Sequence, residues 1–118
     1  PMFKETDLQE FHARFIQERA GLLQAIQREQ ARLQAYTEEN PDPLDLADRS
    51  RYQEISLNRL ENLQKWLAEI EAALQRLRDG KYGICVRCGK PINPERLAAI
   101  PAAAYCIRCQ AHQESLYP

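Results

Sequence analysis

The fold is decided by residues 85–109, which read CVRCGKPINPERLAAIPAAAYCIRC. Two CxxC pairs, Cys85 with Cys88 and Cys106 with Cys109, are separated by seventeen residues. Each pair directs two thiolates to one point, so the two pairs together can supply a tetrahedral shell for Zn²⁺. Because such a shell leaves no open position for water, the pattern predicts one structural zinc ion rather than a catalytic one.

Two other interpretations of the four cysteines are a dithiol redox pair and plain buried core residues. Redox proteins of the thioredoxin type place a CxxC in a βαβ context, which this sequence does not show. Between the two pairs, Asn93 followed by Pro94 is typical of a helix N-cap with proline in the first turn. His12 and His112 are interpreted as surface residues, because four thiolates complete the shell without them.

Two long segments without proline account for most of the chain before the cysteines. From about Asp7 to Glu39, apolar residues recur three or four positions apart, with polar interruptions near Glu18 and Glu29. From about Leu44 to Asp79 the spacing is more regular and indicates a coiled coil. The first stripe comprises Leu8, Phe11, Phe15, Leu22, Ile26, Leu33 and Tyr36, and the second comprises Leu60, Leu63, Leu67, Ile70, Leu74 and Leu77.

The connection Asn40-Pro-Asp-Pro43 is short enough to form only a tight reversal, so the two helices are expected to pair antiparallel. We therefore predict an all-α fold, with a long antiparallel coiled-coil hairpin, a small C-terminal four-cysteine zinc finger and a short terminal helix. The predicted domains are an N-terminal arm (1–6), the hairpin (7–80, with its tip at 40–48) and the zinc finger with its C-terminal helix (81–118). Self-association through the single buried stripe is an alternative to the expected monomer.

Composition narrows the possible functions. The chain has 118 residues, 44% hydrophobic and 28% charged, which is typical of one folded unit. Its net charge of -1 lacks the basic excess that non-specific nucleic-acid binding needs, so direct DNA binding is not expected. The longest apolar run, Leu97 to Tyr105, is too short to span a bilayer, and no signal-peptide core follows Met2, so a cytoplasmic protein is expected.

Enzyme activity is not expected either. The sequence shows no Ser-His-Asp set, no phosphate-binding glycine loop and no open metal site.

Residues 37–54, which surround the predicted reversal between the two helices, are acidic. The charged residues among them are Glu38, Glu39, Asp42, Asp45, Asp48, Arg49, Arg51 and Glu54. One interpretation is structural, because Asp42 can cap a helix and Asp45 and Asp48 complement the positive end of its macrodipole. The other is that the hairpin presents carboxylates to a basic cluster or to a Mg²⁺ ion in a partner, since hard oxygen ligands suit that ion.

Two separate motifs of the chain resemble the DksA/TraR family. They are DPLDLA at residues 42–47, and YGICVRCG at 82–89 continuing through RLAAIP at 96–101 to CIRC at 106–109. The resemblance covers about residues 7–112. It implies a transcription regulator that binds RNA polymerase rather than DNA and inserts its hairpin through the secondary channel toward the Mg²⁺ site.

The resemblance also implies roles for individual residues. Asp42, Asp45 and Ala47 are expected to contact the polymerase near its active site and to modulate initiation without catalysing a reaction. The expected zinc ligands are Cys85, Cys88, Cys106 and Cys109.

The resemblance also bears on the stringent response, in which members of the family act with the alarmone ppGpp. Basic side chains that hold ppGpp in responsive members align with Glu69, Ile100 and Gln110, none of which is a cation, and this argues against ppGpp dependence. Two other functions stay open: a zinc-stabilised helical scaffold or stress protein that binds another protein, and a zinc-ribbon DNA binder.

Overall fold

The computed structural model describes residues 3–39 and 46–116, and within these ranges the protein is helical. No strand occurs in them apart from one isolated antiparallel bridge, between Ile84 and Pro91. The prediction of an all-α fold is confirmed. The helices are α1 (Glu5–Glu39), α2 (Leu46–Arg78), α3 (Pro94–Ala99) and α4 (Ile107–Leu116).

The helix ends lie close to the predicted positions. Helix α1 begins at Glu5, two residues before the predicted start, and the predicted start of α2 at Leu44 lies outside the described residues. Helix α2 ends in a Schellman motif, in which the N–H of Gly80 donates to the Leu77 carbonyl and that of Lys81 to the Arg76 carbonyl. Gly80 has φ 71°, the left-handed conformation that this motif requires and that glycine adopts at low cost.

The chain forms two compact units. The hairpin unit comprises Gln17–Ala68, and the finger unit comprises Pro1–Ile16 with Glu69–Pro118. The predicted domain limits at residues 6 and 80 stay a prediction.

In the hairpin unit, α1 packs antiparallel against α2. The rings of Tyr36 and Tyr52 stack with centroids 4.0 Å apart, and the Ser56 hydroxyl donates to Glu29 at 2.6 Å. The second contact lies earlier in α1 and later in α2 than the first, so the helices run in opposite directions. Leu22, Ile26 and Leu60 form the buried apolar part of the interface. The predicted coiled-coil hairpin is confirmed.

The core of the finger unit is built from all of its elements. Its most deeply buried large side chains are Phe15, Ile70, Leu74, Ile92 and Leu97. The Tyr82 ring packs against Phe11 and Phe15, with centroids 4.9 and 6.1 Å away, and against Phe3 at 5.7 Å. This aromatic cluster joins the first residues of the zinc-finger segment to the start of α1.

Candidate metal centre and hairpin tip

The first cysteine pair lies in a tight loop closed by backbone hydrogen bonds. The N–H of Ile92 donates to the Gly83 carbonyl at 2.7 Å, and the N–H of Cys85 donates to the Lys90 carbonyl at 2.8 Å. Gly83 and Gly89 have φ values of 83° and 74°, in the left-handed region. These glycines let the chain turn back on itself within ten residues, which places the thiols of the pair on one side of the loop.

The second cysteine pair lies at the start of α4. Cys106 immediately precedes the helix and Cys109 lies in its first turn. The N–H of Cys109 points to the Cys106 sulfur at 3.5 Å. An N–H group at a helix N-terminus has no partner within the helix, so it is free to stabilise a thiolate there.

The fold brings the four sulfur atoms together. The Sγ atoms of Cys85, Cys88, Cys106 and Cys109 all lie within 4.8 Å of one another, and those of Cys88 and Cys106 are 3.9 Å apart. In a tetrahedral site with Zn–S bonds of about 2.3 Å, neighbouring sulfurs are about 3.8 Å apart. The sulfur geometry therefore fits a single tetrahedral Zn²⁺.

The thiols differ in their tendency to ionise. Burial opposes ionisation of Cys85, but backbone N–H hydrogen bonds, chiefly from Cys88, outweigh it and lower the thiol pKa to about 6. The N–H of Cys109 lowers the pKa of Cys106 in the same way. Burial raises the pKa of Cys109 to about 11, and its neighbouring sulfurs add to that shift. A metal cation is needed to hold all four as thiolates at neutral pH.

Side chains from outside the two cysteine pairs hold the segment between them. The Tyr82 hydroxyl donates to the Pro101 carbonyl at 2.7 Å, and the Arg76 guanidinium donates to the Ala102 carbonyl at 3.1 Å. Arg96 donates through Nε to the Tyr105 carbonyl at 3.0 Å. Burial lowers the pKa of Arg76, which marks a cation partly removed from water. The role of Arg76 is not predictable from the sequence, because a lone arginine at the end of a helix carries no recognisable signal.

The predicted cap of α3 is confirmed. The Asn93 side-chain oxygen accepts from the N–H of Glu95 at 2.9 Å, and Pro94 is the first helical residue. His12 and His112 are exposed on α1 and α4, as expected.

The structure describes only part of the predicted tip. Ala47 is exposed in the first turn of α2, next to the exposed Asp48. Asp42 and Asp45 lie outside the described residues.

The three positions that the family resemblance relates to ppGpp binding differ in exposure. Glu69 and Ile100 are exposed, and Gln110 is half-buried and donates to Glu114 at 3.2 Å.

A polar cluster in the hairpin unit was seen in the sequence only as an interruption of the apolar stripe. Glu29 is 4% exposed and Ser56 is 1% exposed, although both are polar. Arg32 and Arg59 approach the Glu29 carboxylate at 3.2 and 3.8 Å, and their own side chains are largely exposed. Periodicity locates Glu29 at the interface but gives no sign that Ser56 lies opposite.

A helical hairpin followed by a four-cysteine metal centre defines a small class of zinc-finger proteins. Residues 80–114 match the family described as the prokaryotic dksA/traR C4-type zinc finger. The solved structure of transcription factor DksA2 from Pseudomonas aeruginosa is 34% identical, with a TM-score of 0.83, over 95% of this chain and 86% of that one. The chain belongs to the DksA/TraR family, and the family match together with the clustered cysteines indicates one structural zinc.

Two further proteins of known name are similar to this chain. The RNA polymerase-binding transcription factor DksA of Caulobacter vibrioides is 28% identical over 114 residues, which is 97% of this chain and 80% of the relative. General stress protein 16O of Bacillus subtilis is 44% identical over 48 residues, which is 41% of this chain and 29% of that protein. The Pseudomonas and Caulobacter proteins are both transcription factors. No helix in the described ranges is both long enough and apolar enough to cross a membrane.

Proposed function

We propose that this protein is a cytoplasmic transcription regulator that binds RNA polymerase through the secondary channel. The observation that carries the proposal is the shared architecture. The hairpin and the C4 finger align together, over nearly the whole chain, with the DksA2 transcription factor. The Caulobacter relative is itself an RNA polymerase-binding factor. Because its net charge is -1, the chain acts through this protein partner and not by binding DNA directly. It does so as a monomer.

The zinc centre has a structural role in this proposal. Cys85, Cys88, Cys106 and Cys109 are the four ligands, and a closed thiolate shell supplies cross-links to a segment with few buried apolar residues. Through Tyr82 and Arg76 the same segment is fastened to the rest of the finger unit. The finger is then a rigid surface for contact with the polymerase.

The tip has the regulatory role. Asp42, Asp45 and Ala47 lie near the polymerase active site when the hairpin is inserted, and the two carboxylates modulate initiation. Carboxylates suit this position because an active-site Mg²⁺ and its basic surroundings attract them. The exposure of Ala47 and Asp48 in the first turn of α2 supports the accessibility of this end of the hairpin unit.

The protein responds weakly or not at all to ppGpp. A pyrophosphate ligand needs cations, and the aligned positions carry an exposed carboxylate at Glu69, an apolar side chain at Ile100 and an amide at Gln110. Gln110 is moreover occupied by a hydrogen bond to Glu114.

The test is transcription from purified RNA polymerase with the variant Asp42→Asn/Asp45→Asn. This change keeps side-chain size and removes two charges, so zinc content and helicity stay as in the wild type while the effect on promoter complexes falls at least tenfold. Asp48→Asn/Glu54→Gln is the matched control, because it removes two exposed carboxylates from the first turns of α2 and keeps the activity.

A photocrosslinker at position 45, used with and without ppGpp, shows where the tip lies on the polymerase. Crosslinks to the polymerase near its active site are expected in both conditions. Unchanged regulation by the double variant, or crosslinks confined to the outer surface of the polymerase, would contradict the proposal.

A zinc-stabilised scaffold or stress protein is the second candidate. The 48-residue match to general stress protein 16O favours it, although that match covers less than half of this chain. It predicts that the purified protein shows no affinity for RNA polymerase, whereas the leading proposal predicts a stable complex.

A further inference from the structure

The buried polar pair at the helix interface of the hairpin unit is unexpected for a coiled-coil seam. Glu29 and Ser56 lie among the apolar residues of the helix interface, and both are more than nine-tenths buried. Their hydrogen bond, from the Ser56 hydroxyl to Glu29 Oε1, measures 2.6 Å. It connects α1 to α2 through two residues that are 27 positions apart in the chain. A carboxylate at such a position is costly unless its partners are in place.

The partners come from both helices. Arg32, one turn further along α1, approaches Glu29 Oε2 at 3.2 Å. Arg59, on α2, approaches the other oxygen, Oε1, at 3.8 Å. The guanidinium groups reach the carboxylate from the solvent side, since both arginine side chains are 63% exposed. Ser56 supplies the contact on the buried side.

The alignment of the helices in the structure provides this set of partners. One helical turn before Ser56 the facing residue is Tyr52, whose ring is already stacked on Tyr36, and one turn after it is the buried Leu60. A one-turn slip therefore places the Glu29 carboxylate against an aromatic ring or an aliphatic side chain. An apolar residue at position 29 would be equally well accommodated in either register, because neighbouring seam positions are apolar as well.

We propose that Glu29 and Ser56 are positioning residues that fix the register of α1 against α2. They set how far each helix end, at Glu39 and Leu46, extends toward the connecting segment. The consequence for transcription rests on the proposed function of the tip, whereas the register itself does not. Mismatched pairing of two copies is disfavoured by the same rule, because it leaves the carboxylate buried without the serine.

The test maps the register directly. Tyr36→p-benzoylphenylalanine keeps an aromatic ring beside Tyr52, and its photocrosslinks to α2 are located by mass spectrometry. In the parent chain the crosslinks fall within one turn of Tyr52. In Glu29→Leu/Ser56→Leu, which exchanges a buried polar pair for apolar side chains, the fraction outside that turn or to a second copy rises on the order of tenfold.

Controls separate the register from hydrophobicity and from helix stability. Glu29→Gln retains an oxygen acceptor for the Ser56 hydroxyl and keeps the parent crosslink map. Asn58→Leu/Glu61→Leu adds two leucines at exposed positions of α2, and this variant also keeps the parent crosslink map. Should the double leucine variant fail to fold, Ser56→Ala is measured instead, and it is expected to broaden the map in the same direction.

The outcomes discriminate between the two proposals. An unchanged map in Glu29→Leu/Ser56→Leu, or in Ser56→Ala where that replaces it, overturns the inference. A broadened map accompanied by a loss of regulation in proportion to the displaced fraction supports both the register role and the tip function. A broadened map with regulation that does not fall with the displaced fraction supports the register role and contradicts the tip function.

Discussion

The hairpin unit and the finger unit both have a small core, but they are held together in different ways. In the hairpin unit, burial is spread along a repeating stripe that includes Leu22, Ile26 and Leu60. In the finger unit, the segment after residue 80 buries side chains such as Ile92 and Leu97 without a repeating stripe, and it also depends on individual contacts, such as the Tyr82 hydroxyl on the Pro101 carbonyl. A periodic interface keeps most of its stability when one contact is lost, whereas a segment without a repeating interface depends more strongly on each contact.

Metal removal should give the largest difference between the two units. Zinc contributes on the order of 10 kcal/mol to the folding of small thiolate sites, far more than the few buried residues of the segment can replace. With a strong chelator, amide hydrogen exchange measured by mass spectrometry should lose protection from Gly83 to Cys109. Protection across residues 22–36 and 52–63 should stay within a few-fold of the untreated protein.

Re-addition of zinc is the control for this experiment, and protection should return with one zinc per chain. The variant Cys109→Ser should show the chelated pattern without a chelator. Loss of protection in both units at the same chelator concentration would show that the hairpin unit also depends on the metal.

The helical hairpin and the sulfur cluster are predictable from the sequence, the first from periodicity and the second from ligand spacing. The 3-4 spacing of leucines gives the helices and their seam, since apolar burial follows the period of the helix. The CxxC pairs give the sulfur cluster, because thiolate chemistry leaves few alternatives. Both signals depend on residues that are near one another in sequence or repeat regularly.

The contacts that the sequence does not predict are single and long-range. Ser56 can be paired with Glu29 only when the register of the two helices is known. Arg76 donates to the Ala102 carbonyl, which is 26 residues away in the chain. No periodicity encodes such pairs, because each depends on the final geometry of two elements. Tyr82 is visible as part of a family motif, but its hydrogen bond and its packing on Phe11 and Phe15 are not.

The variant Tyr82→Phe tests the dependence of the finger unit on one contact. At neutral pH it removes the hydrogen bond to Pro101 and should cost about 1 kcal/mol of unfolding free energy. Burial raises the pKa of Tyr82 to about 12 in the folded protein, against an ordinary value of about 10. The folded state therefore favours the neutral phenol. The contribution of Tyr82 to the unfolding free energy is fully present below about pH 10 and is lost as the pH rises toward about 12.

Melting temperatures of the wild type and of Tyr82→Phe across this pH range give the measurement. The wild type should be more stable at pH 8, and the difference should shrink above pH 10 and then reverse, because the phenylalanine variant has no phenol to ionise. Ultraviolet absorbance should show one late-ionising tyrosine in the folded wild type that the variant lacks. A difference that stays constant through pH 11 would contradict the assigned environment of Tyr82.

The same substitution, glycine to alanine, made once in each unit is expected to change the unfolding free energy in opposite directions. Gly21 lies inside α1 and Gly89 in the first cysteine loop, and an added Cβ would meet no atom within 4 Å at either position. Since space is available at both, any difference must come from the backbone. Gly21→Ala should raise the unfolding free energy by about 1 kcal/mol, because alanine favours a helix interior.

Gly89→Ala should have the opposite sign and lower the unfolding free energy by about 1–2 kcal/mol, because its φ of 74° is unfavourable for a residue with a Cβ. Denaturant unfolding of the zinc-bound protein measures both changes. Equal effects of the same sign would mean that the cysteine loop can relax to a negative φ without losing its sulfur geometry. In that case the metal, and not the glycine, sets the path of the chain through the loop.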